Sequence, residues 1–227
     1  GLVLIVGHPK SGKSKLVTDA PGAIVLELER GGGDRLDGRI QDILDKAQFN
    51  EVLGAALADP SIKTIVIDTI DELALWVGQE IAVKRGLTSM SDRKPGVDGF
   101  ALWGEFKDKL EAFTKAMKEC GKLVIFIAHC KPPEKDDQGK VVTPAGINIS
   151  GKASAYMAAQ AEAIGYTYKT EMGSGTLYNL TFRGGPLALW GSRIRELNDQ
   201  TITIPDKDPF AAVLAKFGTN GDAQKAE

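Results

Sequence analysis

Cysteine and histidine are scarce in this chain of 227 residues: Cys120, Cys130, His8 and His129 are all it has. Two thiols cannot staple a disulfide framework, and no Cys/His set has the spacing of a structural zinc site. A reducing compartment fits this usage, so a cytoplasmic location is expected. Aromatics make up only 7% of residues. Long apolar runs are missing too. None approaches the ~20 residues of a membrane span, so no membrane partner is expected. Neither sign of charge prevails: the formal net charge is −2, which excludes a uniformly basic protein. Any polyanion site must therefore be local.

What is present is a globular balance of 43% hydrophobic and 26% charged residues. The opening GLVLIVG is apolar but lacks a basic flank, so it reads as a buried strand rather than a signal peptide. The sequence opens on Gly1 rather than Met, and a preceding initiator or leader segment is expected. One domain over residues 1–218 is expected, with a polar, disordered tail over 219–227.

Four continuous apolar runs stand out: LVLIV (2–6), AIVLELE (23–29), TIVIDT (64–69) and KLVIFIAH (122–129). Such runs suit strands buried on both faces. Helical patterns alternate with them: Phe49, Val52, Leu53, Ala56 and Leu57; Leu73, Trp76, Val77 and Ile81; and Trp103, Phe106, Leu110, Phe113 and Met117. The alternation predicts an α/β fold, a mainly parallel sheet flanked by helices. Three further segments, 163–170, 176–182 and 186–190, predict an antiparallel C-terminal extension. DPFAAVLAKFG (208–218) reads as a last helix, with Asp208 as N-cap, Pro209 at its first position and Gly218 past its end. Two long polar segments, 85–99 and 130–151, read as loops of functional length.

GHPKSGKS (7–14) matches G-x-x-x-x-G-K-[ST], with an apolar strand before it and a helix after it. Gly7 and Gly12 let the backbone wrap a phosphate, whose oxygens then meet successive N–H groups. The candidate nucleotide-binding set is Gly7, His8, Pro9, Lys10, Ser11, Gly12, Lys13, Ser14 and Lys15. Lys13 sets a cation against the β- and γ-phosphates, and Ser14 offers a hydroxyl to Mg²⁺. His8 occupies a variable position and receives no chemistry of its own. ATP and Mg²⁺ are the expected ligands.

Asp68 ends the strand TIVID, where a Mg²⁺-associated carboxylate belongs beside such a loop. Glu27 and Glu29 alternate onto one face of their strand. Glu29, nearer the carboxyl end, is the candidate to activate water, with Glu27 as the alternative. His129 ends its strand, where it would face the γ-phosphate or serve as a structural hydrogen-bonder. Cys130 has no visible base and is not read as a nucleophile.

Taken in order, GHPKSGKS, IVLELERGG, TIVIDTIDEL and LVIFIAH resemble the RecA-type P-loop ATPase core. They are most similar to the compact phage-encoded RecA-like single-strand annealing and recombination ATPases. The resemblance covers roughly residues 1–190. It implies a catalytic role for Glu29 together with Lys13, a metal role for Ser14 and Asp68, and a γ-phosphate sensor at His129. His129 stands where the family places a glutamine. The resemblance also implies single-stranded DNA as partner. The DNA contacts would be Lys131, Lys135, Lys140 and Lys152 from one loop and Arg93 and Lys94 from the other. The longer loop balances its lysines with Glu134, Asp136 and Asp137 and has no aromatic for base stacking. A homo-oligomer is implied as well, with the site at a subunit interface and Arg183, Arg193 or Arg195 as the neighbour's cation. Two other readings stay open: a nucleotide-dependent protein switch or motor and loader subunit, and a small-molecule kinase. The kinase reading lacks an arginine-rich lid.

Overall fold

The computed structural model describes residues 1–29, 38–173, 175–185 and 187–216. The tail 219–227, Gly218, and Arg30 and Arg35 lie outside the described residues.

The chain runs β1 (Leu2–Gly7), α1 (Lys13–Val17), β2 (Ala23–Glu27), β3 (Ile40–Asp42), α2 (Lys46–Ala58), β4 (Thr64–Asp68), α3 (Ile70–Lys84) and α4 (Gly99–Glu119). It continues through β5 (Leu123–Lys131), β6 (Glu134–Lys135), β7 (Val141–Thr143), β8 (Gly146–Ile147), α5 (Lys152–Gln160), β9 (Ala163–Met172), β10 (Gly175–Thr181), β11 (Gly191–Ser192), β12 (Thr201–Ile204) and α6 (Pro209–Leu214). The main sheet has the order β12-β10-β9-β1-β5-β4-β2-β3. β1, β5, β4 and β2 are mutually parallel neighbours. Their apolar runs are buried on both faces because helices cover both sides of the sheet.

The pleat divides the core in two. Leu2, Leu4 and Val6 pack with Phe126, Ile65 and Ile67 beneath α2 to α5. Ile5, Val25, Val66, Ile125 and Ile127 face Leu16, Val17, Phe210 and Val213 of α1 and α6. The predicted apolar stripes carry the first core: Phe49, Leu53 and Ala56 of α2, and Phe106, Leu110 and Met117 of α4, are buried. Thr69 caps α3 by accepting from the Glu72 N–H, and Asp45 and Asp98 cap α2 and α4 through Gln48 and Phe100. These are ordinary N-cap residues satisfying otherwise orphaned helix donors.

The C-terminal third departs from expectation in three places. β9 is parallel to β1, so the antiparallel extension begins one strand later, with β10 against β9 and β12 against β10. Residues 187–190 form no strand; Ala188 makes isolated bridges only, and β12 fills the sheet position instead. Trp190 is engaged elsewhere, its ring stacked on Tyr166 at 4.2 Å between centroids. Asp208 precedes α6 as expected but has left-handed backbone and gives no side-chain cap. Asp19, at the end of the α1 segment, accepts from the Phe210 N–H at 3.0 Å in its place. No helix among the described residues is long and apolar enough to cross a membrane.

Both long loops carry internal order. In 85–99, the Asp92 carboxylate accepts from the backbone and hydroxyls of Thr88 and Ser89. Those donors hold its pKa down to about 2, led by the Thr88 hydroxyl. Within 130–151, β6 and β7 form a hairpin, and β8 folds back against Cys130 and Lys131 of β5. The helix α5 follows immediately and was not expected.

Candidate nucleotide-binding site

The loop between β1 and α1 is positioned by contacts from distant parts of the chain. Ser11 is buried, and its hydroxyl lies 2.6 Å from the Thr167 hydroxyl of β9. Gly7 sits directly beneath this pair, where a Cβ would collide with the Thr167 hydroxyl. Gly12 has a φ of 92°, and a Cβ there would meet the Tyr178 ring at 2.9 Å. Lys10 takes a left-handed φ of 62° without being glycine. Such a conformation costs about 1 kcal/mol and is kept where loop shape matters.

Lys13 is buried, and its ammonium donates to the carbonyl oxygens of Gly7 at 3.1 Å and His8 at 2.8 Å. Burial pulls its pKa below the usual lysine value, opposed by the carboxylates of Asp68, Glu29 and Asp71. Lys15 points to the surface and pairs with Asp206 at 2.6 Å. His8 is exposed, its ring edge-on to Tyr166 at 6.4 Å.

The carboxyl ends of four adjacent strands bring the remaining groups to this loop. Gly7 of β1 is in register with His129 of β5, and Glu27 of β2 with Asp68 of β4. Ser14 donates to Asp68 Oδ2 at 2.5 Å. Asp68 is buried, and desolvation pushes its pKa up to about 6 against the hydrogen bond from Ser14. Two hard oxygen donors, one of them a carboxylate that burial leaves short of countercharge, fit a Mg²⁺ ion.

Glu29 lies past the end of β2, so strict strand alternation does not govern its direction. It is about half exposed, accepts from the Thr69 hydroxyl at 3.2 Å, and lies 3.3 Å from His129 Nδ1. Glu27 is buried within the sheet end. Of the two glutamates, Glu29 is the one that reaches His129.

Asp71 was not singled out by sequence reasoning. It is buried in the first turn of α3, accepts from the His129 backbone N–H at 3.1 Å, and lies 2.7 Å from His129 Nδ1. Its only sequence signal is a position three residues after Asp68, where an acidic residue also suits a helix start. Burial raises the pKa of Cys130, which agrees with an unreactive thiol.

The cationic candidates are dispersed. Arg93 and Lys94 are exposed on the 85–99 loop, with the Arg93 guanidinium turned onto the carbonyls of Ser91 and Asp92. Lys131 pairs with Glu134, while Lys135 and Lys140 are exposed on the β6–β7 hairpin and Lys152 at the start of α5. Arg183 and Arg193 donate within the chain, to the carbonyls of Asp199 and Ala159. The two loops meet at a cavity of about 270 Å³, whose wall includes Asp71, Met90, Trp103, Asn148 and Ser150.

This strand-ordered site defines a P-loop nucleotide-binding protein with a RecA-like fold. A family model described as an AAA domain matches residues 2–189, and the chain belongs to that family. Over 145 residues it is 27% identical to the SPbeta prophage-derived uncharacterized protein YorG of Bacillus subtilis (strain 168). That match spans 62% of this chain but only 43% of the relative. A solved KaiC-like protein, PH0186 of Pyrococcus horikoshii OT3, shares the fold with a TM-score of 0.50 at 13% identity. The alignment covers 90% of this chain and 86% of that one.

Proposed function

We propose that this chain is a Mg²⁺-dependent ATPase that acts on single-stranded DNA as part of phage recombination or annealing. The observation that carries the ATPase reading is the convergence of Lys13, Ser14, Asp68, Glu29 and His129 on one loop. Lys13 exchanges its loop carbonyls for phosphate oxygens. Ser14 and Asp68 hold the ion, which when bound neutralises charge on the β- and γ-phosphates. Glu29, held by Thr69, orients or deprotonates a water, and His129 contacts the terminal phosphate from the next strand.

The DNA reading is supported by the family resemblance, by the prophage origin of the relative YorG, and by where the loops sit. β5 runs from His129 directly into the 130–151 segment, and the Asn148 N–H returns to the His129 carbonyl at 3.0 Å. A change at His129 is thereby connected to the loop. A homo-oligomer with the site shared between subunits belongs to the same proposal.

The pairing of Lys131 with Glu134 favours a second reading, a nucleotide-driven protein switch or loader subunit, because it reduces the loop's positive charge. Measuring ATP turnover with and without single-stranded DNA, at two salt concentrations, separates the two. The DNA reading expects stimulation and binding that weakens steeply with salt. Turnover indifferent to DNA, without salt-sensitive binding, leaves the protein-directed reading.

A further inference from the structure

We infer that Asp71 is the positioning residue for His129, fixing its ring and its tautomer so that Nε2 is the nitrogen presented to the nucleotide. The inference rests on the reading of His129 as the group that meets the terminal phosphate.

Asp71 reaches across from the first turn of α3 to the neighbouring strand and takes both the backbone N–H and the ring of one residue. Its Oδ1 lies 3.1 Å from the His129 amide nitrogen and its Oδ2 lies 2.7 Å from Nδ1. A favourable charge at a helix start explains an acidic residue there, but such a charge needs no inward aim. Here the carboxylate is buried, only 8% exposed, and engages β5. Two bonds from one rigid carboxylate fix both the main chain and the ring orientation.

The short Nδ1 contact also sets the proton. A carboxylate oxygen and an unprotonated ring nitrogen are both acceptors and repel each other at this distance. Nδ1 must therefore carry hydrogen and donate to Asp71. Glu29 at 3.3 Å from the same nitrogen is a longer, secondary acceptor. Holding a proton on Nδ1 leaves Nε2 as the nitrogen that faces a ligand. A phosphate oxygen is itself an acceptor, so Nε2 meets it with a second proton taken from solvent, as an imidazolium whose charge Asp71 balances. A glutamine presents its amide without such a partner. A histidine in this place needs one, because its two nitrogens exchange roles unless one is held.

The chain has only two histidines, so ¹⁵N-histidine spectra contain two ring systems and His8→Gln assigns them. In neutral wild-type protein, His129 is expected to be the Nδ1–H tautomer. In Asp71→Asn it is expected to shift towards the Nε2–H form favoured by an unrestrained imidazole. The same variant is expected to lose roughly 10- to 100-fold in kcat, the range seen when the hydrogen-bond partner of a metal-ligating histidine is removed, with nucleotide Kd nearly unchanged. An Nε2–H tautomer in the wild type overturns the inference without any variant having to fold. So does an Asp71→Asn protein with wild-type tautomer and kcat, provided His129→Ala is inactive. A His129→Ala protein with full turnover overturns instead the reading of His129 on which the inference rests. The ligand atoms of Glu29, Asp71 and His129 lie within 4.8 Å of one another, so Zn²⁺ is a necessary control. Retention of the Nδ1 proton in added Zn²⁺ supports the inference; its stoichiometric loss marks a metal site and overturns it.

Discussion

The Ser14 hydroxyl donates to Asp68 Oδ2 at 2.5 Å, joining α1 to the end of β4 across 54 residues of sequence. Burial keeps the Asp68 pKa at about 6, above the ordinary 3.8. A carboxyl raised in this way holds its proton more tightly when folded. Its stabilising contribution is complete below the unfolded value and is lost as pH rises through about 6. A shift of about two pKa units corresponds to roughly 3 kcal/mol. Urea unfolding of the nucleotide-free protein should therefore show Asp68→Asn gaining on the wild type by ~1–1.5 kcal/mol between pH 5 and pH 8, the other half of the difference falling between the unfolded value and pH 5. With Mg²⁺ and nucleotide added, the wild type should recover and the variant should not. Parallel pH profiles for the two proteins would refute the assigned origin of the shift.

Glu29→Gln keeps the side chain's size and its hydrogen bond from Thr69 but removes the basic oxygen. Turnover is expected to fall by ~10²- to 10⁴-fold, the usual worth of a positioned base. Nucleotide affinity should stay within a few-fold, because Lys13, Ser14 and Asp68 are untouched. Glu27→Gln is the matching control. A greater loss of turnover in that variant would move the catalytic assignment to the buried glutamate.

Much of this site was legible in the sequence because its signals are local. A glycine-spaced loop after an apolar run, and carboxylates at the ends of apolar runs, announce themselves within a few residues. Contacts that depend on strand order do not. Thr167 holds Ser11 from 156 residues away, and only the insertion of β9 beside β1 brings it there. Asp71 looks like a helix-start acid until β4 and β5 are known to be neighbours. Residues 186–190 have strand composition, yet Trp190 stacks on Tyr166 and Leu189 packs over Gly146. There tertiary packing overrides local propensity. The short strands β3 and β12 gave no pattern long enough to separate from loop.

Gly12 combines a conformation that suits glycine with a ring packed against it. Its φ of 92° is strained for any L side chain, and an added Cβ meets Tyr178 at 2.9 Å. Gly12→Ala is expected to cost ~1–2 kcal/mol of folding stability from the backbone alone. Displacing the loop should also weaken nucleotide binding at least tenfold, equivalent to ~1.4 kcal/mol. Tyr178→Ala in the same background relieves the clash but not the backbone strain. Only partial recovery of affinity, followed by fluorescent-nucleotide titration, is the expected result; full recovery would mean that the ring contact alone was at fault.

The β6–β7 hairpin separates the two functional readings most directly. Residues 134–143 are mostly exposed, and none contributes to either core. Lys131, Ala145 and Gly146, which tie the base of the loop to β5 and to residues 187–189, lie outside that span. Replacing 134–143 with two glycines should therefore change stability by no more than ~0.5 kcal/mol, as expected for a surface change. Basal ATP turnover should persist, since no catalytic group is removed. If the hairpin meets DNA, removing Lys135 and Lys140 should lower the slope of log K against log salt by ~0.7 for each phosphate no longer neutralised. The DNA stimulation of turnover should fall with it. An unchanged slope together with unchanged stimulation would remove the hairpin from the DNA interface and leave Lys131, Lys152, Arg93 and Lys94 as its remaining cations.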